Sequence, residues 1–218
     1  MGMKDEDMTG RLALTGSGDS ADDRPRQHTR ESVREAAFRL FGRHGYDGVS
    51  IDTIARAVGL SKGALYWHFE GKEALFKECL VTLSDLFREH IITPMEHATT
   101  PRERLDCFFH GVAALSESDA VAEGIAGYWQ EPYNETMSRC FREHLEGLEE
   151  SIRRPLQTAL QPLDSADRLR PMADPETSSE TLMALMEAML MPLRRRSPAL
   201  RRAILEDLRT TVLRAYTE

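Results

Sequence analysis

From Arg24 almost to the C-terminus, large apolar residues recur at three- and four-residue intervals and nowhere alternate with polar ones. That spacing makes a chain of amphipathic helices and leaves no segment fit for a strand. Val33, Ala36, Ala37, Leu40 and Phe41 form one stripe at i, i+3, i+4, i+7 and i+8. Thr29 stands where a cap would start that helix, and Gly42 and Gly45 mark its end. Ile51, Ile54, Ala55 and Val58 repeat the pattern behind Ser50, an N-cap residue, and Gly59 stops the run. Ser61 caps a third helix, Lys62 to Phe69. A fourth starts near Lys72 and continues to about His90, with Pro94 ending it.

Further helices are expected from Pro101 to about Leu115, from about Ala120 to Gln130, and from Pro132 to about Leu160. Residues 162–178, with Pro162, Pro171 and Pro175, read as a loop. Two closing helices follow, from about Ser179 to Met191 and from Pro198 to Ala215. Residues 1–23 are rich in Asp, Gly, Ser and Thr without periodicity and read as a disordered tail. Gly16-Ser17-Gly18-Asp19-Ser20-Ala21 matches a dinucleotide-binding pattern formally, but no strand precedes it. The expectation is an all-α protein, with a small domain over 27–87 and a larger helical one over 88–218.

Charge separates the same two parts. The 218 residues carry a net −8, yet residues 24–78 hold ten basic and seven acidic residues, a local +3 that leaves −11 for the rest. A basic module on an acidic body hints at nucleic acid. The longest stretch free of Asp, Glu, Lys and Arg is the ten residues Cys107 to Ser116. A spanning helix needs about 18 apolar residues, so none is expected, and the N-terminus lacks the apolar run of a signal peptide. Cys79, Cys107 and Cys140 are an odd, dispersed set, which fits a reducing cytoplasm and no disulfide framework.

Residues 50–69, SIDTIARAVGLSKGALYWHF, are two short helices joined by Gly59-Leu60-Ser61. A three- to four-residue turn containing glycine is the arithmetic of a helix-turn-helix, whose second helix enters the major groove. Ala55 is small where the helices must approach. Gly59 can take the positive φ of a sharp turn. Ser61 satisfies free N–H groups at the start of the second helix, an end that also favours phosphate. Gly63 and Ala64 let the backbone itself approach DNA, while Leu65 and Phe69 face inward. Tyr66 and His68 carry polar tips suited to phosphate oxygens, and Lys62 and Lys72 supply charge. Trp67 suits packing of the small domain and DNA contact equally.

The segment Arg30 to Leu75 resembles the DNA-binding domain of the tetracycline-repressor (TetR) family of bacterial transcriptional regulators. The resemblance rests on Ala36-Ala37, Leu40-Phe41, Gly45-Tyr46, Ser50-Ile51, Ile54-Ala55, Val58 to Phe69 and Lys72-Glu73-Ala74-Leu75. Tyr66-Trp67-His68-Phe69 is most similar to multidrug-efflux repressors of the AcrR type. Ser50 stands where the family often has Thr and keeps the capping hydroxyl. The resemblance implies a homodimer on double-stranded, pseudo-palindromic operator DNA, joined through its C-terminal helices and released by a small-molecule effector. Its DNA-contacting set is then Ser50, Thr53, Ser61, Lys62, Gly63, Ala64, Tyr66, Trp67, His68 and Lys72. An activator, or an architectural protein of the same fold without an inducer, is the alternative.

The body offers weaker signals. Phe108, Phe109, Tyr128, Trp129, Tyr133 and Phe141, with Met137, Met183, Met186 and Met189, are the aromatic and thioether residues from which a plastic apolar pocket would be built. The same stripes also suit plain core. Glu123, Glu131 and Glu187 would favour a cationic ligand if one of them faced such a pocket, though acids of this kind usually lie on a solvated face. Cys107-His110 and Cys140-His144 have helical metal-ligand spacing, but small buried cysteines beside satisfied histidines explain them more simply. No metal and no cofactor is expected. Arg194-Arg195-Arg196, with Arg201 and Arg202, suits a solvated helix end. An all-α enzyme is disfavoured: no Glu-x-x-His pair, HExxH, GxSxG or Walker sequence occurs.

Overall fold

The computed structural model describes residues 23–122, 124–161, 173–191 and 196–217. Among them there are helices and no strand. In chain order these are α1 (Asp23–His44), α2 (Ile51–Ala57), α3 (Lys62–Tyr66) and α4 (Lys72–Phe87), a π-turn (Arg88–Ile92), then α5 (Thr93–His97), α6 (Pro101–Glu117) and α7 (Asp119–Ala122). A 3₁₀ turn (Ala126–Trp129) precedes α8 (Glu135–Leu160), α9 (Pro175–Leu190) and α10 (Pro198–Thr217). The tail reading for residues 1–22, Glu123, residues 162–172 of the loop reading, and Arg194 and Arg195 lie outside the described residues.

The head is built from α1 to α3 and the start of α4. The α1 stripe is buried as its spacing predicts, with Val33, Ala37 and Phe41 fully inside. Phe41 meets Phe76 of α4 edge-on at 4.9 Å, and Tyr46 sits 5.0 Å from the same ring. Each such aromatic, fully buried, contributes roughly 1.5–3 kcal/mol. Ile51, Ile54 and Ala55 of α2 and Leu65 of α3 close the core, with Phe69 just beyond.

α4 belongs to both parts. Its Leu75 and Phe76 pack in the head, and its Phe87 lies 6.3 Å from the Trp129 ring of the body. The helical run then passes through Pro94 to His97, so Pro94 does not break it. The reason is the π-turn. Thr93 N–H bonds Arg88 O five residues back, a wider turn that absorbs the register the proline cannot support. A Cβ on Gly111 of α6 would collide with the His90 carbonyl, so only glycine lets α6 pass this close to the turn.

Other boundaries differ from the sequence reading too, and α3 ends at Tyr66 rather than Phe69. α1 starts six residues before Thr29, at Asp23. The expected helix from Ala120 to Gln130 is split into α7 and the 3₁₀ turn, and Gly124 between them has a φ of 119° that no helix can hold. α8 starts at Glu135 rather than Pro132, because Asn134 caps it by accepting from Met137 N–H at 3.0 Å. α9 starts at Pro175, inside the expected loop, where Asp174 accepts from Thr177 N–H at 3.0 Å and proline occupies the first turn.

No helix among the described residues is long and apolar enough to cross a membrane.

Candidate nucleic-acid interface

The turn between α2 and α3 is fixed by three local devices. Ser50 Oγ accepts from Thr53 N–H at 3.1 Å at the start of α2. At its end Gly59 adopts φ +71°, Gly59 N–H bonds Arg56 O at 3.2 Å, and Leu60 N–H bonds Ala55 O at 2.9 Å. This nested pair is a Schellman ending, and only the left-handed glycine allows it without strain. Leu60 packs against the core, and Ser61 Oγ accepts from Ala64 N–H at 3.1 Å to begin α3. The chain thus turns sharply and starts α3 with its N-terminus exposed.

α3 divides into two faces. Leu65 and, one turn on, Phe69 are buried. Ser61, Lys62, Gly63, Tyr66 and Trp67 are exposed, and Ala64 and His68 are half-exposed. Trp67 is 89% exposed, which removes the packing explanation for it. A tryptophan left in water has no stabilising role in the fold. A Cβ on Gly63 would meet nothing nearer than Ser61 Oγ at 4.0 Å, so the space above the backbone is open.

The charges lie beside this face. Lys62 Nζ is 3.4 Å from Asp52 Oδ2, with both side chains more than half exposed. An exposed pair of this kind is worth little and releases its lysine readily. Lys72 Nζ lies 4.0 Å from the centre of the Tyr46 ring. Partial burial holds the Lys72 ammonium below the usual lysine range, and the Asp47 carboxylate opposes that shift. Arg30, which the spacing arguments left without a role, stacks 5.0 Å over Phe69 and pairs with Glu78. It ties α1 to the end of α3 and to α4. Its only sequence signal was its place among the ten basic residues of 24–78.

The head meets the body at the 3₁₀ turn. A Cβ on Gly127 would strike the Phe41 carbonyl, and one on Gly42 would strike the Gly124 carbonyl. Tyr128, fully buried, donates its hydroxyl to Phe38 O at 3.0 Å, and burial pushes that phenol far above its ordinary value. Tyr133 N–H donates to Asp47 Oδ2 at 2.9 Å. Sequence reasoning did not find this seam, although glycines at 42, 45, 124 and 127 are its trace.

The body residues singled out as pocket candidates fall into three groups. Phe108, Phe109, Met137, Phe141, Met183 and Met186 are buried together in the body. Tyr128 lies in the seam against the Phe38 and Phe76 rings of the head, and Trp129 is partly buried beside Phe87 with an unpartnered indole N–H. Tyr133 is 93% exposed and lines a cleft of about 490 Å³ with His44, Asp47, Gln130 and Glu131. Glu131 accepts from Ser138, and Arg142 Nε is 3.5 Å away. A second cleft, of about 320 Å³, runs between α1 and α4 beside Arg34, Phe38, Arg39 and Leu86.

The two Cys-His pairs do not converge. His110 Nδ1 lies 3.0 Å from Asp106 O on an exposed face, and His144 points to α4. No group of three or more metal-ligating side chains occurs among the described residues. Arg201 and Arg202 join α10 to the end of α6, through Ser116 O at 2.9 Å and Glu117 at 2.9 Å, while Arg196 is exposed.

A glycine-turned helix pair that exposes a short second helix, set on a helical body, defines a DNA-binding helix-turn-helix protein. The family model described as bacterial regulatory proteins of the tetR family matches residues 33–79. The chain is 30% identical over 134 residues to the HTH-type transcriptional regulator LmrA of Bacillus subtilis, covering 57% of this chain and 71% of that one. It is 28% identical over 140 residues to the HTH-type transcriptional regulator AcrR of Shigella flexneri, covering 52% of this chain and 65% of AcrR. NalD, the secondary repressor of the MexAB-OprM multidrug efflux pump in Pseudomonas aeruginosa, superposes with a TM-score of 0.67 at 24% identity, over 88% of this chain and 97% of NalD. The chain belongs to the TetR family of transcriptional regulators, which bind DNA and are not enzymes.

Proposed function

We propose that this chain is a ligand-responsive repressor. Two copies bind a pseudo-palindromic operator, each through α3, and a small molecule held in the body releases them. The observation that carries the DNA reading is Trp67 beside Tyr66, Lys62 and Gly63 on the outer face of α3, 89% exposed with no part in the core. On this reading Tyr66, Trp67 and His68 meet the DNA backbone with Lys62 and Lys72, Gly63 and Ala64 set the closeness of approach, and Ser50, Thr53 and Ser61 present the helix ends.

Two such helices must fit half-sites about 34–36 Å apart, one turn of DNA. The dimer forms through α9 and α10. Thr177, Thr181, Ala184 and Ala188, spaced along α9, are exposed and small enough for a partner helix to come close. The effector is taken up among Phe108, Phe109, Met137, Phe141, Met183 and Met186, thioether and aromatic side chains that repack at low cost. Tyr128 and Tyr133 bond the head, at Phe38 O and Asp47, and Trp129 stands beside Phe87. A ligand works only if it binds the released arrangement better than the DNA-bound one.

The test is retention of the protein's own upstream intergenic DNA at physiological salt against a scrambled duplex. The reading predicts specific retention that survives the competitor, by a protein of dimer mass in light scattering. Equal binding to both duplexes contradicts it.

A further inference from the structure

His144 occupies a place in α8 where the helical pattern calls for an apolar residue. Met137, Phe141, His144 and Leu148 follow one another at four, seven and eleven residues along a single face, and the other three are buried. A polar ring on that face must find partners. His144 Nε2 lies 2.7 Å from Leu80 O and 2.8 Å from Ser84 Oγ, both on α4. A carbonyl oxygen only accepts, so the Leu80 contact is a hydrogen bond in the tautomer with the proton on Nε2, whose N–H then faces Leu80 O with Ser84 Oγ beside it. Leu80 and Ser84 stand between the end of α4 that packs in the head, at Leu75 and Phe76, and the end that meets Trp129, at Phe87. The bond therefore grips the one helix common to both parts. It does so from a helix whose preceding two turns carry Phe141 and Met137.

We infer that His144 is a positioning residue that pins α4 to α8, so that the body wall bearing Met137 and Phe141 and the DNA-binding head move together. This rests on the repressor reading for its consequence, though not for the link itself. Apolar packing alone lets two helices slide by fractions of a turn. A directed hydrogen bond to one carbonyl fixes both the register and the distance.

Two substitutions separate the link from mere packing. His144→Leu fills the space without a donor. His144→Gln keeps an amide N–H close to where Nε2 stands. His144→Leu should bind the upstream DNA about tenfold more weakly and exchange the amide hydrogens of residues 80–87 faster, with α9 unchanged. His144→Gln should restore both. In the unsubstituted protein, ¹⁵N spectra of labelled histidine should show the His144 proton on Nε2. A leucine variant with unchanged DNA affinity and unchanged α4 exchange would overturn the inference. So would a glutamine variant as impaired as the leucine one, or a proton found on Nδ1 alone. If His144→Leu fails to fold, the glutamine variant and the tautomer still decide. If the unsubstituted protein does not discriminate its upstream DNA, the repressor reading falls, and α4 exchange with the tautomer still tests the link.

Discussion

The head and the body are made of the same secondary structure but of different kinds of information. In the head almost every element is fixed by neighbours in sequence: Ser50 caps α2, Gly59 ends it, Ser61 starts α3. The body helices are capped as locally, at Asn134 and Asp174, but the contacts that seat the body on α1 and α4 join residues far apart, as Tyr128 to Phe38 and His144 to Leu80 do. A surface that must match DNA has its shape set locally by caps and turns. On the proposed function, the body rearranges around a ligand, and packing that can take more than one form suits that role. The function of the head can therefore be read residue by residue, whereas that of the body depends on its joints.

The sharpest way to break this contrast is at the seam. Gly127→Ala places a Cβ against the Phe41 carbonyl and the Gly45 amide, neither of which can move aside as a side chain would. We expect a loss of about 3 kcal/mol, seen as a melting temperature roughly 6–12 °C lower. A melting curve like that of the parent would mean that head and body are not seated on each other as described.

Next in size is Trp67→Ala. With Trp67 89% exposed, stability should change by no more than about 0.5 kcal/mol. Operator affinity should fall tenfold or more, about 1.4 kcal/mol. A large loss of stability with affinity intact would place the ring inside the fold after all. Lys72→Ala should weaken binding to all duplexes alike and reduce the salt slope by about one, as removal of a phosphate contact does. An unchanged slope would remove Lys72 from the interface and leave it a role only on the Tyr46 ring.

The smallest effect belongs to the body. Burial, and then the nearby Glu187, raise the Glu149 carboxyl above its ordinary value of 4.5. A carboxyl raised in the fold holds its proton better there than in the unfolded chain, so stability drops as pH rises through that window. Glu149→Gln should therefore melt about 1–2 °C higher at pH 7, with the gap closing below pH 4.5. A gap that widens in acid would reverse the sign and contradict the assignment.

The sequence made the α2–turn–α3 unit legible because its signals are short-range: apolar spacing, a capping serine and a left-handed glycine. It could not decide Trp67, because exposure depends on what else fills the core, and Phe41, Phe76 and Tyr46 fill it. It misjudged Pro94 because a π-turn is invisible to a 3.6-residue period. Tyr128, Trp129 and Tyr133 looked like one aromatic group. The 3₁₀ turn ends at Trp129 and extended Gln130 leads the chain outward, so they end up buried, half-buried and 93% exposed. The buried methionines and phenylalanines of the body were visible as a stripe, but nothing in their spacing tells core from pocket.

On the proposed reading α3 docks into DNA through its bare backbone at Gly63. The deciding variant is Gly63→Val, measured for operator binding by fluorescence anisotropy and for stability by thermal melting. The space above Gly63 is open in the free protein, so melting should stay close to that of the parent while operator binding is abolished. Full affinity in that variant would mean that α3 does not approach DNA as proposed.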